Sequence, residues 1–318
     1  MINVHEYASS IAEDLGFDRP AFKGQYVPVR NCWHFYTSGD SVESLFHSVE
    51  EFRDGMNRIL SVALGYDVLI LAFALMDTHV HFILYGPFDA CNHFVHEYLR
   101  RTSMYLSSKR TGRKSLKGIA ISHQSIDDDR YLKTAICYVV KNPVAAGLPY
   151  NSWDYPWSSG ALYFRNSDSW TSPGWMLGAY SRVQTSSDLR KLTKSKAKLE
   201  TEIHAIDGII LPSQYVAVST VERIFRSHRS YNYFLSTSKD IDVESRGGAI
   251  SHLSIPLSEM RNNRRTLLQE LFGVSELRGL SMEQRVRLAR SMKCRYNSSS
   301  KQIAKLCGLI YAEVKDLI

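Results

Sequence analysis

The segment from Ala74 to Tyr85 restricts the fold of this chain more than any other. It reads Ala-Leu-Met-Asp-Thr-His-Val-His-Phe-Ile-Leu-Tyr and places His79 and His81 two positions apart among apolar and β-branched residues. Such a composition favours a strand, on which residues i and i+2 point to the same face of a sheet. We therefore expect the two imidazoles to converge, an arrangement that suits a divalent metal. A core histidine beside a surface histidine is the alternative interpretation.

A second informative segment, 138–148, reads Tyr-Val-Val-Lys-Asn-Pro-Val-Ala-Ala-Gly-Leu. We expect it to contain the end of a helix at Lys141, because the residue before a proline avoids helical geometry. Tyr138 and Asn142 are one helical turn apart and share a helix face, so the phenol and the amide should project into one site. The amide oxygen of Asn142 can bind a hard cation. A helix C-cap is the alternative role for this residue.

Positive charge is concentrated in two stretches of the chain. The net charge is +7, and residues 261–318 account for all of it, with 12 Lys or Arg against 5 Asp or Glu. In the balanced remainder, residues 97–117 contain 7 basic residues that are opposed only by Glu97. Two basic surfaces favour an acidic partner, and nucleic acid is the first candidate. For residues 97–117, a charged surface that contacts only solvent is the alternative interpretation. The side chains that we expect to contact DNA are Arg100, Arg101, Lys109, Arg110, Arg113, Lys114, Lys117, Arg285, Arg287, Lys301 and Lys315.

Other features of the sequence argue against several classes of protein. The 5 cysteines form no Cys-x-x-Cys pair, which disfavours a disulfide framework and a zinc finger and predicts reduced, buried thiols. Because the chain shows neither a signal-peptide pattern nor an apolar stretch of about 18 residues, we expect a cytoplasmic protein that does not span a membrane. Glycine-rich phosphate loops and Gly-x-Ser-x-Gly elements are lacking, which disfavours nucleotide hydrolases and serine hydrolases.

The periodicity of apolar residues predicts an α+β fold for the first half of the chain. We expect strands at 31–37, 68–76, 79–85 and 117–123, and helices at 43–64, at 89–109 and from Asp128 or Asp129 to Lys141. This β-α-β-β-α-β-α order fits an antiparallel sheet with helices packed on it. We expect the resulting domain to span residues 1–165.

Two further regions follow this domain. Residues 166–252 begin rich in Ser, Thr and Lys and continue with helical patterns, so we interpret them as a linker and mixed helical region. The sequence pattern of residues 253–318 predicts a small all-α tail. Its expected helices are 282–292, capped by Ser281, then 298–306 and 310–318. A turn at Gly308 between the last two gives the outline of a helix-turn-helix, and a small bundle that packs or dimerises is the alternative.

Three blocks of sequence resemble those of the single-tyrosine HUH transposases (His, hydrophobic, His), in particular the group associated with repetitive extragenic palindromes. The blocks are Leu75-Met-Asp-Thr-His-Val-His-Phe82, Tyr138-Val-Val-Lys-Asn-Pro-Val-Ala-Ala-Gly-Leu148 and Trp157-Ser-Ser-Gly-Ala-Leu-Tyr163. They occur in the family's order, and the match covers about residues 25–165. One departure is visible, since Asp77-Thr78 stands where the family has Pro-Asn. This difference changes the turn before the histidines and leaves the ligands in place.

The resemblance implies a ferredoxin-like antiparallel sheet with helices on one face. It also implies a transposase of a mobile element that cleaves and rejoins single-stranded, hairpin-associated DNA through a 5′-phosphotyrosine intermediate. Carried over to this sequence, Tyr138 is the nucleophile. His79 and His81 would bind Mg²⁺ or Mn²⁺, and Asn142 would complete the metal site. The tail would add contacts to duplex DNA.

Two other functions stay open at this point. An inactive or domesticated DNA-binding regulator would keep the same fold and use the tail, although the intact set of His, Tyr and Asn residues argues against a decayed site. A metal-dependent hydrolase that uses water as the nucleophile would form no covalent adduct with DNA. A monomer and a homodimer are both compatible with these patterns.

Overall fold

The structure is a computed structural model with two compact units, Met1–Ser238 and Lys239–Ile318. The residues that it describes are 8–18, 27–37, 45–109, 119–146, 148–165, 178–196, 202–237, 257–296, 303–304, 306–315 and 317. Within these residues, no helix is both long enough and apolar enough to cross a bilayer. The predicted domain boundary after residue 252 lies outside them, and the one after residue 165 adjoins an undescribed segment.

The first unit contains a four-stranded antiparallel sheet. Its strands are β1 (Pro28–Thr37), β2 (Leu69–Leu75), β3 (Val80–Tyr85) and β4 (Ile121–Asp128). The helices of this part are α1 (Ala8–Asp14), α2 (Val49–Ala63), α3 (Phe88–Lys109) and α4 (Asp129–Ala145). The strand order is β2-β3-β1-β4, and each neighbouring pair is antiparallel. The predicted combination of an antiparallel sheet with several helices is therefore confirmed.

The sheet is covered on both faces. Every residue of β2 and β3 is buried, and two neighbouring residues of β3 show what covers each side. The ring of Phe82 packs on Phe94 and Tyr98 of α3. His81 is instead hydrogen-bonded to Asn142 of α4. Because successive residues of a strand point to opposite faces, α3 and α4 lie on opposite sides of the sheet. The prediction of helices on one face is therefore wrong, since strands buried on both sides need cover on both sides.

Helix α4 begins where the sequence predicted and ends later. The side chain of Asp128 accepts a hydrogen bond of 2.7 Å from a backbone N–H of the first turn and caps the helix. Pro143 lies inside the helix, which continues for two residues beyond it. A proline in the last turn removes a single hydrogen bond, and the N–H of Ala146 still reaches the carbonyl of Asn142. Asn142 is therefore held inside the helix and not at a frayed end.

A second, smaller sheet belongs to the first unit. It consists of β5 (Tyr180–Val183), β6 (Ile203–Ile206) and β7 (Ile209–Ile210), accompanied by α5 (Ser186–Thr193), α6 (Val218–Phe225) and α7 (His228–Thr237). The buried amide of Asn57 in α2 anchors this region, since it donates to the carbonyls of Leu192 and Gly208. The oxygen of the same amide accepts from the N–H of Ile210 at 2.8 Å. The sequence predicted a linker and mixed helices here and did not predict the strands.

The second unit has its own apolar core. Its described helices are Leu257–Phe272, Met282–Tyr296 and Tyr311–Val314. Leu268 and Leu288 are fully buried in this core. As predicted, Ser281 caps the middle helix: its Oγ accepts from the Gln284 N–H at 3.2 Å, and its own N–H donates to the Gln284 side chain at 2.9 Å. The last helix is shorter than the predicted 310–318, and the helix-turn-helix arrangement stays a prediction.

Candidate active site

The site lies on the face of the main sheet that α4 covers. His79 directly precedes β3 and His81 lies within it, and their rings meet edge-on with 5.0 Å between the centroids. His81 is buried, whereas His79 is half-buried. The convergence of two imidazoles that the His-x-His spacing predicts is therefore present.

The amide of Asn142 joins the two imidazoles. Its Oδ1 lies 2.9 Å from Nε2 of His79, and its Nδ2 lies 3.1 Å from Nε2 of His81. An amide oxygen accepts and an amide nitrogen donates, so this orientation requires a proton on Nε2 of His79 and a lone pair on Nε2 of His81. Nδ1 of His79 then accepts from the hydroxyl of Thr78 at 2.9 Å. The three residues that the sequence named as metal ligands are thus direct neighbours.

Tyr138 lies one turn before Asn142 on the same face of α4. Its ring meets the ring of His81 edge-on, with 5.6 Å between the centroids. It meets the ring of His34 in the same manner at 5.9 Å. The side chain of Tyr138 is half-buried, so that part of it stays in contact with solvent. The helix face predicted from the spacing therefore brings the phenol beside the histidines.

His34 of β1 belongs to this site, and the sequence alone did not identify it. Its Nε2 lies 3.1 Å from Nδ1 of His81, and the two rings stack with 5.3 Å between the centroids. Tyr36, on the same strand face, also stacks on His81, at 5.9 Å. The alternation of His34 and Tyr36 in a strand-like segment was a usable signal. It becomes informative only with the register that pairs β1 with β3.

Burial favours the neutral form of His34 and His81. The pKa of His34 falls from 6.5 to about 3 because the imidazole is removed from water. The pKa of His81 is also well below its usual value, first through burial and then through the neighbouring His79 and His34. A metal ligand has to be a neutral imidazole with a lone pair. At neutral pH, His81 is in that form.

The residues present fit a divalent ion. An ion bound to Nε2 of both histidines would replace their two hydrogen bonds to the Asn142 amide, and the proton of His79 would move to Nδ1, which faces the hydroxyl of Thr78. Imidazole favours transition metals and a carbonyl oxygen favours harder ions, so this donor set suits Mn²⁺ at least as well as Mg²⁺. In the part of the chain that the structure describes, no group of three His, Cys, Asp or Glu side chains is arranged for a metal. An ion at this site would therefore need Asn142 as its third protein donor.

The predicted basic surface on α3 lies on the other side of the sheet from this site. Arg100 and Arg101 both bind the carboxylate of Glu97, each with an N–O distance of 2.6 Å. Arg101 also donates to the hydroxyl of Ser195 at 3.1 Å. Lys109 is exposed at the end of α3. The remaining predicted DNA contacts of this stretch lie outside the described residues; they are Arg110, Arg113, Lys114 and Lys117.

The predicted DNA contacts of the second unit have different surroundings. The guanidinium of Arg285 donates to three backbone carbonyls of its own unit. Arg287 and Lys315 are exposed, whereas Lys301 lies outside the described residues. Arg285 therefore contributes to the fold of the tail, and the two exposed cations present their charge to solvent.

A surface pocket of about 560 Å³ lies elsewhere on the first unit. It is lined by the end of α4, by α7 and by the segment between them, including Trp153, Tyr163 and Arg165. His79, His81, Tyr138 and Asn142 do not line it. The candidate site is therefore distinct from this pocket.

Comparison with known proteins gives one distant likeness. The chain matches no protein-family model and no curated protein. Among solved structures it is similar to a REP-associated tyrosine transposase bound to a REP hairpin, with 18% sequence identity. The similarity covers 44% of this chain and 82% of that chain, with a TM-score of 0.35. At this level of similarity, the function has to be argued from the side chains of the site.

Proposed function

We propose that this chain is a transposase or nickase that cleaves and rejoins single-stranded DNA through a covalent bond to Tyr138. The observation that carries the proposal is the meeting of a half-buried phenol with two imidazoles and an amide on one face of the sheet. A phenol can attack a phosphate, and imidazole and amide groups can hold a divalent ion. The β2-β3-β1-β4 antiparallel order supports a ferredoxin-like core for this domain.

The reaction would begin with attack of the deprotonated Tyr138 oxygen on the phosphorus of a DNA phosphate. A bond from phosphorus to the tyrosine oxygen forms, the bond from phosphorus to the 3′ oxygen of the adjacent sugar breaks, and that oxygen takes up a proton. The products are a 5′-phosphotyrosine and a free 3′-OH. A second 3′-OH can attack the phosphotyrosine, which releases the phenol and rejoins the strand. No external energy source is needed, because one phosphate ester replaces another at each step.

His79, His81 and Asn142 are the residues that would hold Mg²⁺ or Mn²⁺, and the bound ion would polarise the scissile phosphate and stabilise its added negative charge. The chain itself contributes geometry. Tyr138 and Asn142 belong to one helix, so their separation is fixed before DNA binds. His81 belongs to the central strand β3, which is buried along its whole length.

The proposed substrate is single-stranded, hairpin-associated DNA. A half-buried nucleophile favours a flexible strand, whose phosphates can turn towards the phenol, over a rigid duplex. The exposed Arg287 and Lys315 of the second unit support separate phosphate contacts to duplex DNA. Such contacts are independent of sequence and weaken with salt.

The proposal is tested by looking for the covalent adduct. The full-length chain is incubated with Mn²⁺ and labelled single-stranded hairpins taken from the DNA that flanks its gene, and the products are separated under denaturing conditions. We expect a denaturant-resistant adduct with the native chain and none with Tyr138→Phe. Tyr131→Phe is the matched control, because Tyr131 is a buried tyrosine of the same helix. The control should form the adduct normally.

Other outcomes separate the alternatives. Cleavage without an adduct would overturn the proposal in favour of a hydrolase that uses water. Tight hairpin binding with neither adduct nor cleavage, across all flanking hairpins, would favour a DNA-binding regulator. An adduct that persists in Tyr138→Phe would show that a different residue is the nucleophile.

A further inference from the structure

We infer that His34 is a positioning residue, which accepts a hydrogen bond from Nδ1 of His81 and keeps the Nε2 lone pair of His81 directed at the metal site. This inference deepens the proposed function and rests on it. The two nitrogen atoms lie 3.1 Å apart, and both side chains are buried, with 1% of His34 and 4% of His81 exposed. A metal-binding histidine commonly donates its other N–H to a partner that fixes its tautomer and orientation.

A continuous series of hydrogen bonds determines which nitrogen of His81 carries the proton. Nε2 of His81 faces Nδ2 of Asn142 at 3.1 Å, and Oδ1 of the same amide faces Nε2 of His79 at 2.9 Å. With the amide nitrogen donating, His81 accepts at Nε2 and carries its single proton at Nδ1. Nε2 of His34 is the acceptor within reach of that proton. The tautomer with a lone pair at Nε2 is the one that can bind an ion.

Two aromatic neighbours restrict the rotation of the His81 ring. His34 stacks on it with an angle of 22° between the planes, and Tyr36 stacks with an angle of 23°. Both neighbours belong to the part of β1 that is paired with β3, Cys32 to Tyr36. The sheet therefore fixes the plane of the imidazole, and the hydrogen bond to His34 fixes its proton.

Apolar packing alone does not explain a histidine at position 34. Among the residues that the structure describes, Nδ1 of His34 is buried without a hydrogen-bond partner. An unpaired polar atom in the core destabilises the folded state, so the surroundings of Nδ1 alone would favour an apolar ring. The presence of a histidine is explained by the acceptor that it offers to His81.

Three substitutions separate the hydrogen bond from the packing. His34→Phe keeps an aromatic ring in the stack and removes the acceptor. His34→Gln removes the ring and places an amide oxygen at a similar distance from the backbone, which restores an acceptor. Phe35→Leu is the matched control for core packing. Phe35 is the next residue on β1, is 0% exposed and stacks on Phe88 of α3, on the opposite face of the sheet.

The experiment uses the full-length chain and two readouts. Imidazole ¹⁵N NMR without metal reports which nitrogen of His81 is protonated, and a His81→Gln variant assigns the signal. Titration with Mn²⁺, followed by EPR of the free ion, reports the affinity. For His34→Phe we expect mixed His81 tautomers and an affinity weakened about 10- to 100-fold. For His34→Gln and Phe35→Leu we expect the native tautomer and nearly native affinity.

Each remaining outcome counts for or against the inference. Native tautomer and native Mn²⁺ affinity in His34→Phe would overturn it. An equal loss of affinity in His34→Gln would also overturn it, because an acceptor alone would then not suffice. If the native chain binds no Mn²⁺, the metal part of the proposed function fails. The His81 tautomer in the metal-free variants then still decides the role of His34.

Discussion

The ring of Tyr138 meets the ring of His81 edge-on, with 5.6 Å between the centroids. One residue belongs to α4 and the other to β3, so their contact depends on how the helix packs on the sheet. Ile136, Val139 and Val140 of α4 are fully buried in that packing. Because close-packed cores deform little, the apolar face of α4 sets the distance between the proposed nucleophile and the proposed ligand.

Tyr138→Phe should separate chemistry from folding and binding. The variant keeps the ring that contacts His81 and loses only the hydroxyl of a half-buried side chain. We expect the free energy of unfolding to change by less than about 1 kcal/mol. The affinity for uncleaved hairpin DNA should stay unchanged while adduct formation is lost. Urea unfolding and fluorescence anisotropy provide the two measurements, and a parallel loss of DNA binding would contradict the assigned role.

The two histidines of the pair should differ in their effect on stability. His81→Ala leaves Nε2 of His34 and the amide nitrogen of Asn142 without a partner in the core. Unpaired buried groups destabilise by about 1–3 kcal/mol each, so we expect a clear loss of stability. His79→Ala alters a half-buried position and should be milder. Both variants should lose cleavage. Urea unfolding beside a nicking assay checks this, and equal stability losses would contradict the burial argument.

The effect of a substitution at Asn142 should depend on whether the new side chain has an oxygen atom and a negative charge. Asn142→Ala removes one amide ligand, which water can replace in the shell of a hard cation, so cleavage should fall less than in His79→Ala. Asn142→Asp supplies a carboxylate, a stronger ligand for Mg²⁺ and Mn²⁺, and should tighten binding of the ion. Isothermal titration with Mn²⁺ compares the three chains. Weaker binding in Asn142→Asp than in Asn142→Ala would show that this side chain does not face the ion.

Local sequence patterns were sufficient to predict which candidate residues share a face of the same strand or of the same helix. His79 and His81 follow from the two-residue period of a strand, and Tyr138 and Asn142 follow from the turn of a helix. Their meeting across elements depends on packing, which no local pattern contains. The same limit explains His34, because its contact with His81 depends on the pairing of two strands far apart in the sequence.

Other features of the structure differ from the sequence predictions although the local sequence does indicate them. Asp207 and Gly208 both have positive φ, 50° and 75°, and they connect β6 to β7. An Asp-Gly pair between apolar residues is a strong hairpin signal, so this hairpin could have been predicted. Pro143 shows the opposite case. Its ring suggested a helix end, but a position in the last turn lets the helix continue past it.

Glu97→Gln should reveal a stabilising contact on α3 that depends on pH. Hydrogen bonds first from Arg100 and then from Arg101 lower the pKa of Glu97 from 4.5 to about 2, against the effect of burial. A carboxylate with a lowered pKa stabilises the native state above pH 4.5, and this contribution is lost as the pH falls towards 2.

Both arginines are partly exposed, at 58% and 32%, so solvent screening limits the effect of Glu97→Gln at pH 7 to about 1 kcal/mol. Urea unfolding of the native chain and of the Glu97→Gln variant at several pH values measures it. The difference between them should shrink below pH 4.5 and in high salt. A difference that stays constant down to pH 2 would contradict the ion-pair origin.

Arg285 and Arg287 form a matched pair that separates folding from DNA binding in the second unit. Arg285 donates to the carbonyls of Leu277, Leu280 and Gly308 at 3.2–3.3 Å, whereas Arg287 is exposed. Arg285→Gln should therefore destabilise this unit by about 1–3 kcal/mol, because the carbonyls of the half-buried Leu277 and Leu280 lose their donor. Arg287→Gln removes the same charge and should leave the unfolding transition unchanged.

The affinity for duplex DNA is the second property in which the Arg285→Gln and Arg287→Gln variants are compared. If Arg287 contacts a phosphate, Arg287→Gln should weaken duplex binding similarly for unrelated sequences and reduce the slope of log affinity against log salt by about 1. Anisotropy titrations at several salt concentrations on the full-length chain measure both quantities, with thermal unfolding as the control. An unchanged salt slope in Arg287→Gln, together with an unchanged fold, would mean that this exposed cation does not contact DNA. An unfolding transition in Arg285→Gln identical to that of the native chain would show that the three carbonyl contacts do not stabilise the tail.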